Sequence, residues 1–336
     1  MISGDQLSHS KAIQQQTGPT FHIATRLLPQ RIRHATYVLY AFFRVADDVV
    51  DDPDPAPAAV QRSELDRIRF AALGDRPTDD PVLAAFADVR ETHDIADREV
   101  NVFIDAMLQD VAEETQEQVV FEDNADRTAY LRGSAVAVAY MMLTVMDPED
   151  AATARPHARA LGEAFQLTNF LRDVREDIVE YNRIYLPQET INRTGLDIAN
   201  IVAHNDTPAS RTAIQADLSY AEGRYRKGVA GIQHLPKRCQ FPVLMAAIFY
   251  AEYHRLIREV NYRVLQNPPS LSRARYARLF AQARWHWLRT KDPSTVFYRV
   301  SPIDPLSQTG PQPTAVLESD RQHPPMHDPQ NVSGHE

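Results

Sequence analysis

The feature that most constrains the fold of this chain is an apolar repeat that runs through residues 32–50 without a proline or a glycine. Its apolar residues recur at steps of three and four, which is the spacing of one face of an α-helix, and Pro29 precedes it as an entry signal. The alternation typical of β-strands is not evident along the chain. The same helical period predicts six further helices, over residues 98–111, 127–146, 155–180, 209–231, 241–265 and 272–288, so we predict an all-α fold.

Domain boundaries are expected where the helical pattern stops. Proline-punctuated loops occupy residues 52–57 and 75–81, but neither is a linker between domains. From about residue 300, seven prolines crowd a polar stretch that has no helical period. We therefore predict three parts, namely a flexible N-terminus over residues 1–10, a single helical domain over residues 11–299, and a disordered proline-rich tail over residues 300–336.

Charge and cysteine content exclude several classes of protein. A net charge of −9 argues against nucleic-acid binding. Cys239 is the only cysteine, which excludes an intrachain disulfide and a thiolate metal cluster and favours a reducing compartment. The longest apolar runs, residues 135–146 and 241–251, are shorter than the ~20 residues of a spanning helix, and the N-terminus lacks the apolar core of a signal peptide. We expect a cytoplasmic protein, either soluble or peripheral to the inner face of the cell membrane.

Four aspartates lie at the C-terminal end of the first predicted helix. Asp47 and Asp51 are four residues apart and share a helical face, and Asp48 and Asp52 form an adjacent pair. Like charges at this spacing destabilise a helix, and the helix dipole disfavours anions at a C-terminal end. The neighbouring residues are mostly apolar, and buried carboxylates must be paired or bind metal, so magnesium is the expected ligand. A solvated acidic helix end is the alternative for such a pair taken alone.

A second polar stripe lies on the helix predicted over residues 155–180. Asn169, Asp173 and Asp177 recur every four residues and share one face, with Gln166 one turn earlier and Arg172 beside them. For the acidic end alone, a surface ladder of ion pairs is the alternative. An amide, two carboxylates and an arginine on one stripe among apolar residues favour a buried site that binds metal ions.

The two acidic centres together predict a catalytic cavity. They are 126 residues apart (173 minus 47), so two antiparallel helices of one bundle could place them face to face. A diphosphate bound between them would contact several magnesium ions, which neutralise the leaving group as a carbon–oxygen bond ionises. The remaining wall is expected to be apolar and aromatic, so that water is excluded from an allylic cation.

Several stretches resemble the squalene and phytoene synthase family. Residues 161–187, LGEAFQLTNFLRDVREDIVEYNRIYLP, are similar to its second aspartate-rich signature, and residues 37–52, YVLYAFFRVADDVVDD, to its first. The residues of these motifs look most similar to those of archaeal members, notably haloarchaeal ones, and the resemblance covers about residues 10–290. Supporting resemblances are found in residues 20–29, 130–139 and 239–257.

The resemblance implies a class I isoprenoid synthase fold, a single helical bundle with a central cavity. It also implies a prenyltransferase that joins two geranylgeranyl diphosphates head to head, through prephytoene diphosphate, to give phytoene for carotenoid biosynthesis. The metal ligands that it implies are Asp47, Asp51, Asn169, Asp173 and Asp177. The residues implied near the diphosphates are Tyr40, Arg44, Gln166 and Arg172. The implied catalytic residues are the two arginines of this group and the four aspartates Asp47, Asp51, Asp173 and Asp177. The implied cavity residues are Phe21, Tyr130, Ser134 and Tyr250.

Some of these assignments have alternatives. Tyr130 and Tyr250 could instead be core residues with satisfied hydroxyls. Arg183 and Tyr185 either close over the phosphates or anchor a turn. Weaker candidates for diphosphate contacts are Arg258, Tyr262, Arg273 and Arg275.

The chain departs from the family pattern at two places. The expected Ser-x-Ser-Phe reads Gly18-Pro-Thr20-Phe21, so one hydroxyl contact is missing or moved. Ala139 stands where the middle motif usually has glycine, which puts the local helix packing and chain-length choice in doubt.

We expect Mg²⁺ as the cofactor, with Mn²⁺ as a substitute, and no NADPH. The expected partners are geranylgeranyl diphosphate, a membrane surface at the periphery and a phytoene desaturase that receives the product, and the chain is expected to be a monomer or weak dimer. The main rival is a squalene or dehydrosqualene synthase that uses farnesyl diphosphate. A non-catalytic assembly factor on the same fold is a remote alternative, because both acidic motifs are complete. A helical scaffold whose acids merely hold a cation is a third interpretation.

Overall fold

In the computed structural model, which describes residues 3–52, 54–111 and 119–305, the chain is a bundle of helices. The helices are α1 (Gly4–Thr17), α2 (Pro19–Thr25), α3 (Gln30–Val50), α4 (Ala58–Leu73), α5 (Pro81–Thr92), α6 (Asp97–Gln109), α7 (Asn124–Leu131), α8 (Val138–Met146), α9 (Ala151–Tyr181), α10 (Gln188–Thr194), α11 (Ile198–Val202), α12 (Pro208–Ala230), α13 (Lys237–Glu259), α14 (Arg273–Thr290) and α15 (Pro293–Val300). The prediction of an all-α fold is confirmed.

The described strands are a single short pair. The strands β1 (Val119–Val120) and β2 (Arg183–Ile184) run parallel, and Val119 pairs with Arg183. Strand β2 begins two residues after the end of α9, the helix that carries the second polar stripe. The pair therefore fixes where the chain goes immediately after that stripe.

The longest helix, α9, is central to the bundle. It packs against α12, α8 and α13, and its apolar residues divide between two of the three buried clusters. The third cluster is built around α3, whose Val38, Leu39 and Phe42 are fully buried against α4, α5 and α6. Burial of these apolar faces is the main force that holds the helices together.

Helices α7 and α8 are joined without a break by a π-helical turn, Arg132–Ala137. The resulting run, Asn124–Met146, is the stretch of the described residues that is long and apolar enough to cross a membrane, although 61% of its apolar window is buried inside the protein. The run packs against α6 and α9. A core helix of a bundle passes the same test of length and composition.

All seven predicted helices are present, with boundaries that move by a few residues. The largest error is at the end of the sixth, predicted to reach residue 265, because α13 stops at Glu259. Asn261 and Tyr262 there have positive φ angles of 54° and 60°, which a helix cannot accommodate. The sequence pattern did not reveal several shorter helices, namely α1, α2, α4, α5, α10, α11 and α15.

The predicted termini also need correction. Residues 4–10 belong to α1, which begins with a capping box at Ser3, so the flexible N-terminus predicted over residues 1–10 is wrong for that stretch. At the other end α15 continues to Val300, and Ile303 is fully buried, so the ordered chain extends beyond residue 299. The rest of the predicted tail, residues 306–336, lies outside the described residues.

Candidate active site

A cavity of about 710 Å³ lies in the middle of the bundle. Its wall is formed by residues of α1, α2, α3, α6, α7, α8, α9, α12 and α13, of the π-helical turn, of the segment between α12 and α13 and of the segment that follows α9. The structure brings all the predicted site residues to this wall: Phe21, Tyr40, Arg44, Asp47, Asp51, Tyr130, Ser134, Gln166, Asn169, Arg172, Asp173, Asp177, Arg183, Tyr185 and Tyr250.

The four weaker candidates are not among the described residues that line this cavity. Arg258 pairs with Glu222 at 2.6 Å, and Arg275 pairs with Glu252 at 2.6 Å. Tyr262 lies in the turn after α13 and Arg273 is exposed at the start of α14. The structure gives no support to these residues as diphosphate contacts, because in it they pair with buried glutamates, lie in a turn or lie at an exposed helix end.

The cavity is long and changes character along its length. His157 and Asp173 both line it from α9, and 16 residues of helix rise about 24 Å. One end holds Asp47, Asp51 and Asp177, and we call it the acidic end. The other, which we call the apolar end, is lined largely by aliphatic side chains and glycines, including Met142, Leu143, Met146, Gly228, Gly231, Ile232, Leu235 and Val243.

The last turn of α3 divides its four aspartates between two faces. Asp47 and Asp51 line the cavity. Asp48 instead pairs with Arg44 at 2.6 Å with 57% of its side chain exposed, and Asp52 accepts a hydrogen bond from the backbone N–H of Asp54 at 2.9 Å. The tertiary structure thus selects Asp47 and Asp51 as the inward pair, which helical spacing alone left undecided.

The inward pair is held in an unfavourable electrostatic state. Burial and the nearby Asp51 charge raise the pKa of Asp47 to about 8, against the lowering effect of Arg44. Burial also raises the pKa of Asp51, although the Arg183 guanidinium partly offsets it. Carboxylates that repel each other away from bulk water would be stabilised by a divalent cation.

The second centre has the same organisation on α9. Arg172 binds Asp173 through two hydrogen bonds, of which the one from Nε is 2.6 Å. For Asp177, burial followed by the charges of Asp173 and Glu176 raises the pKa to about 8. The charge of Asp51 adds to this rise, so the two acidic centres lie within electrostatic range of each other.

Two buried polar atoms at this end lack a partner in the described part of the chain. Asn169 Oδ1 accepts no hydrogen bond, although its amide nitrogen contacts Gln166 Oε1 at 3.4 Å. Arg44 Nε donates none. Unsatisfied buried groups are costly, and here they consist of one oxygen acceptor beside carboxylates and one cationic donor. This donor set fits a divalent cation and an anion bound together.

Arg183, on the segment that follows α9, binds the first centre. It donates to Asp51 Oδ1 at 3.0 Å, to the carbonyl of Val50 at 3.3 Å and to the carbonyl of Asp110 at 3.0 Å. Its side chain is 9% exposed. The next residue but one, Tyr185, stacks on Phe170 with ring centroids 3.8 Å apart. In this structure Arg183 therefore fastens the segment after α9 to the ends of α3 and α6.

Asp110 is the functional candidate that sequence reasoning missed. It follows the last residue of α6, lines the cavity and accepts a hydrogen bond from the Tyr130 hydroxyl at 2.8 Å. Burial raises its pKa to about 6, partly opposed by Arg183 and by Tyr130. The sequence signal that could have revealed it is an acid directly after an apolar helix, as Asp51 is directly after α3. Tyr130 is thus a buried residue with a satisfied hydroxyl and also a cavity residue.

The aromatic residues of the wall form one cluster beside the second centre. Phe21 lies 4.7 Å from Tyr250 and 5.6 Å from Phe165, measured between ring centroids. Tyr253 lies under the Arg172 guanidinium at 5.2 Å. An electron-rich wall of this kind can stabilise a cation while it excludes water.

The structure explains the first departure from the family pattern. A Cβ atom on Gly18 would lie 2.3 Å from the Tyr40 hydroxyl, so serine cannot replace glycine here without a shift. Thr20 keeps its hydroxyl, which lies 2.5 Å from the Tyr276 hydroxyl on α14. One hydroxyl of the motif is therefore absent and the other is bound to a neighbouring helix.

The second departure concerns helix packing. Ala139 lines the cavity, and its Cβ lies 2.9 Å from where a Cβ on Gly162 would be. Helices α8 and α9 therefore approach closely with glycine on α9 rather than on α8. This contact accommodates the alanine.

The chain is similar in sequence to known proteins over most of its length. A family model described as squalene/phytoene synthase matches residues 14–275. A phytoene synthase of Pseudescherichia vulneris is 31% identical over 255 residues, which are 73% of this chain and 80% of that protein. A phytoene synthase of Mycobacterium tuberculosis is 31% identical over 277 residues, which are 82% of this chain and 89% of that protein.

Solved structures share the fold. A dehydrosqualene synthase in complex with a ligand superposes with a TM-score of 0.75 at 24% identity, over 84% of this chain and 97% of that chain. A squalene synthase from Alicyclobacillus acidocaldarius superposes with a TM-score of 0.66 at 20% identity, over 77% of this chain and 95% of that chain. These likenesses establish the helical isoprenoid synthase fold.

Proposed function

The chain belongs to the squalene/phytoene synthase family, and on that premise we propose that it is a phytoene synthase. It is a prenyltransferase that joins two geranylgeranyl diphosphates head to head, through prephytoene diphosphate, and releases both diphosphates. The observation that carries the proposal is the convergence of both aspartate pairs at one end of a long cavity. Relatives that bear the name phytoene synthase, at 29–31% identity, support it further.

We propose that magnesium binds at the acidic end. Asp47, Asp51, Asp173 and Asp177 would supply carboxylate oxygens, and the unpartnered Oδ1 of Asn169 would supply another oxygen ligand. Bound magnesium supplies charge neutralisation for the departing diphosphate. Manganese is expected to substitute, because it also takes oxygen ligands.

The chain's own residues would then orient the anion. Arg44 presents its unpaired Nε and Arg172 its guanidinium toward the same end of the cavity. Tyr40 and Gln166 line the wall beside them and can donate hydrogen bonds to phosphate oxygens. Arginine suits this task because its planar fork matches the geometry of phosphate oxygens.

The rest of the cavity would protect the reacting carbons. Phe21, Phe165 and Tyr250 surround the region next to the second centre, where cationic carbon is expected to form. The apolar end accommodates the isoprenoid tails, since its lining offers few groups that could hold water.

The test is a product assay with purified protein and Mg²⁺. Incubation with the C15 and the C20 diphosphates, each with and without NADPH, is followed by extraction and identification of the lipid. We expect phytoene from the C20 substrate without NADPH. A product that forms only from the C15 substrate with NADPH would identify a squalene synthase instead, and one from the C15 substrate without NADPH a dehydrosqualene synthase.

Complete acidic centres argue against a non-catalytic assembly factor or a scaffold that merely holds a cation. We also propose that the protein is cytoplasmic, makes peripheral contact with the inner face of the cell membrane, hands its product to a phytoene desaturase and is a monomer or weak dimer. A hydrocarbon product supports the membrane contact and the hand-over, since it cannot accumulate in water.

We further propose that the chain is most closely related to haloarchaeal members of the family, because the residues of its motifs resemble theirs. The similar phytoene synthases named above are bacterial. A phylogenetic tree of the family would test it, and placement of this chain among bacterial sequences would overturn it.

A further inference from the structure

Helix α14 carries an unusual outer surface. Its 18 residues include five arginines and no acidic residue, although the whole chain has a net charge of −9. Trp285 and Leu288 are 58% and 56% exposed, and they are two of the five large apolar side chains that are exposed in the described part of the chain. Both lie on the side of the helix opposite the buried Leu279, Ala283 and Trp287.

Cations flank the two exposed apolar side chains. At 100° per residue, Arg289 lies next to Trp285 on one side and Arg284 next to Leu288 on the other. The Arg289 guanidinium lies over the Trp285 ring, 3.2 Å from its centroid. Lys291 follows directly after the helix, and it is exposed.

The start of α13 adds two more exposed cations beside α14. Phe241 contacts Trp287 and Phe280 of α14, with ring centroids 5.5 Å and 6.1 Å apart, and Arg284 lies over the Phe241 ring at 5.9 Å. Lys237, one turn before Phe241, and its neighbour Arg238 are both exposed. We call the set Lys237, Arg238, Arg284, Trp285, Leu288, Arg289 and Lys291 the basic face.

Acidic groups near this face are already engaged. Glu252 and Glu259 both bind Arg275, at 2.6 Å and 2.9 Å, on the flank of α14. Asp292 caps α15 by accepting a hydrogen bond from the backbone N–H of Thr295. The basic face thus combines a local excess of cations with exposed apolar side chains, the pattern of helices that lie in a membrane interface.

Helix α14 lies behind the wall of the apolar end of the cavity. Pro242 and Val243 line the cavity, and the residue before them, Phe241, packs on Trp287 of α14. The buried side of α14 therefore packs on α13 beside the region assigned to the isoprenoid tails, and Trp285 and Leu288 lie on the outer side of the same helix.

We propose that the basic face binds the surface of an anionic lipid bilayer. Arg284, Arg289 and Lys237 contact lipid phosphates, and Trp285 and Leu288 enter the interface between headgroups and acyl chains. The proposal deepens the peripheral membrane contact suggested above and rests on the proposed function for its purpose, which is to bring the protein to a phase that dissolves a C40 hydrocarbon.

The test uses the full chain and vesicles of phosphatidylcholine with or without phosphatidylglycerol. The chain has two tryptophans, both on α14, and Trp287 is 8% exposed. A blue shift of tryptophan emission on vesicle addition therefore reports mainly on Trp285, and quenching by brominated lipid reports its depth. We expect the shift with anionic vesicles, and its loss at high salt concentration.

Two variants separate the contribution of the cations from that of the apolar side chains. Arg284→Gln/Arg289→Gln is expected to lower the partition coefficient about thirtyfold, because each cation near an anionic surface strengthens binding about fivefold. Leu288→Ser is expected to weaken binding and to abolish quenching by brominated lipid. The matched control is Val60→Ser/Arg67→Gln on α4, where Val60 is 54% exposed and Arg67 is 46% exposed, and it should bind as the unaltered chain does.

Failure of this proposal is distinguishable from failure of the proposed function. Activity is measured in parallel on detergent-dispersed C20 diphosphate, where the variants should turn over normally. Equal vesicle binding by the basic-face variants and the unaltered chain, absence of vesicle binding, or preferential binding to single-stranded RNA would each overturn the membrane proposal. None of these outcomes would affect the product assay.

Discussion

The two acidic centres use the same device but assemble it differently. In each, one aspartate has an arginine partner, and the other has a pKa raised to about 8 by burial and like charge. Asp173 takes its arginine from the preceding residue of the same helix. Asp51 takes Arg183, 132 residues further along the chain. The second centre is therefore encoded within one helix, whereas the first depends on correct closure of the whole bundle.

The first and largest effect is expected from Asp173→Asn. Loss of one carboxylate from the site should lower kcat by on the order of 10²–10³-fold, while the thermal unfolding midpoint changes little because Asp173 is partly exposed. Single-turnover kinetics with the C20 diphosphate measures this. Asp48→Asn is the control, since Asp48 points outward, and an equal loss in the control would contradict the assignment of the inward pair.

Arg183→Met distinguishes the two centres by stability. Removal of three hydrogen bonds from a buried cation should lower the free energy of unfolding by about 2–3 kcal/mol. It should also lower activity about 10²-fold, because the two acidic centres then move apart. Arg172→Met should affect activity but destabilise less, because its partner lies on the same helix. Urea unfolding of both variants decides the matter, and equal destabilisation would remove the distinction.

Asp110→Asn tests whether Asp110 belongs to the first centre. The neutral carboxamide that this substitution introduces accepts a weaker hydrogen bond from the Tyr130 hydroxyl than a carboxylate does, so we expect about a tenfold fall in kcat. Tyr130→Phe should cost a similar amount, and the double variant should cost little more, since both changes affect one hydrogen bond. Additive losses would indicate independent roles.

The last prediction concerns the effect of pH on stability. Asp47 and Asp177 have pKa values of about 8 in the folded chain and about 3.9 when unfolded. The folded state therefore binds more protons between these values, so the free energy of unfolding without divalent ions should fall as pH rises from 5 to 8. Added Mg²⁺ should reduce the fall. Urea unfolding in EDTA and in Mg²⁺ checks this, and a rise with pH in EDTA would contradict it.

Much of the site was predictable because its residues have a helical period. The stripe Asn169, Asp173 and Asp177 follows from i, i+4 spacing on a helix that the sequence pattern identified almost to its ends. Asp110 escaped because a single acid after an apolar helix has no period. Only its contact with Tyr130, 20 residues away, distinguishes it from an ordinary helix end.

The sequence by itself determined the helical class, the seven main helices, the family and the identity of the aspartates on each face, because these depend on local spacing. The family resemblance already implied Asp47 and Asp51 as metal ligands, and the tertiary structure shows them facing the cavity while Asp48 and Asp52 do not. Only the tertiary structure decided that Arg183 closes the first centre and that α14 presents a basic face. The physical reason is that burial, and with it the pKa of a carboxylate and the partner of an arginine, is a property of packing between elements far apart in the chain.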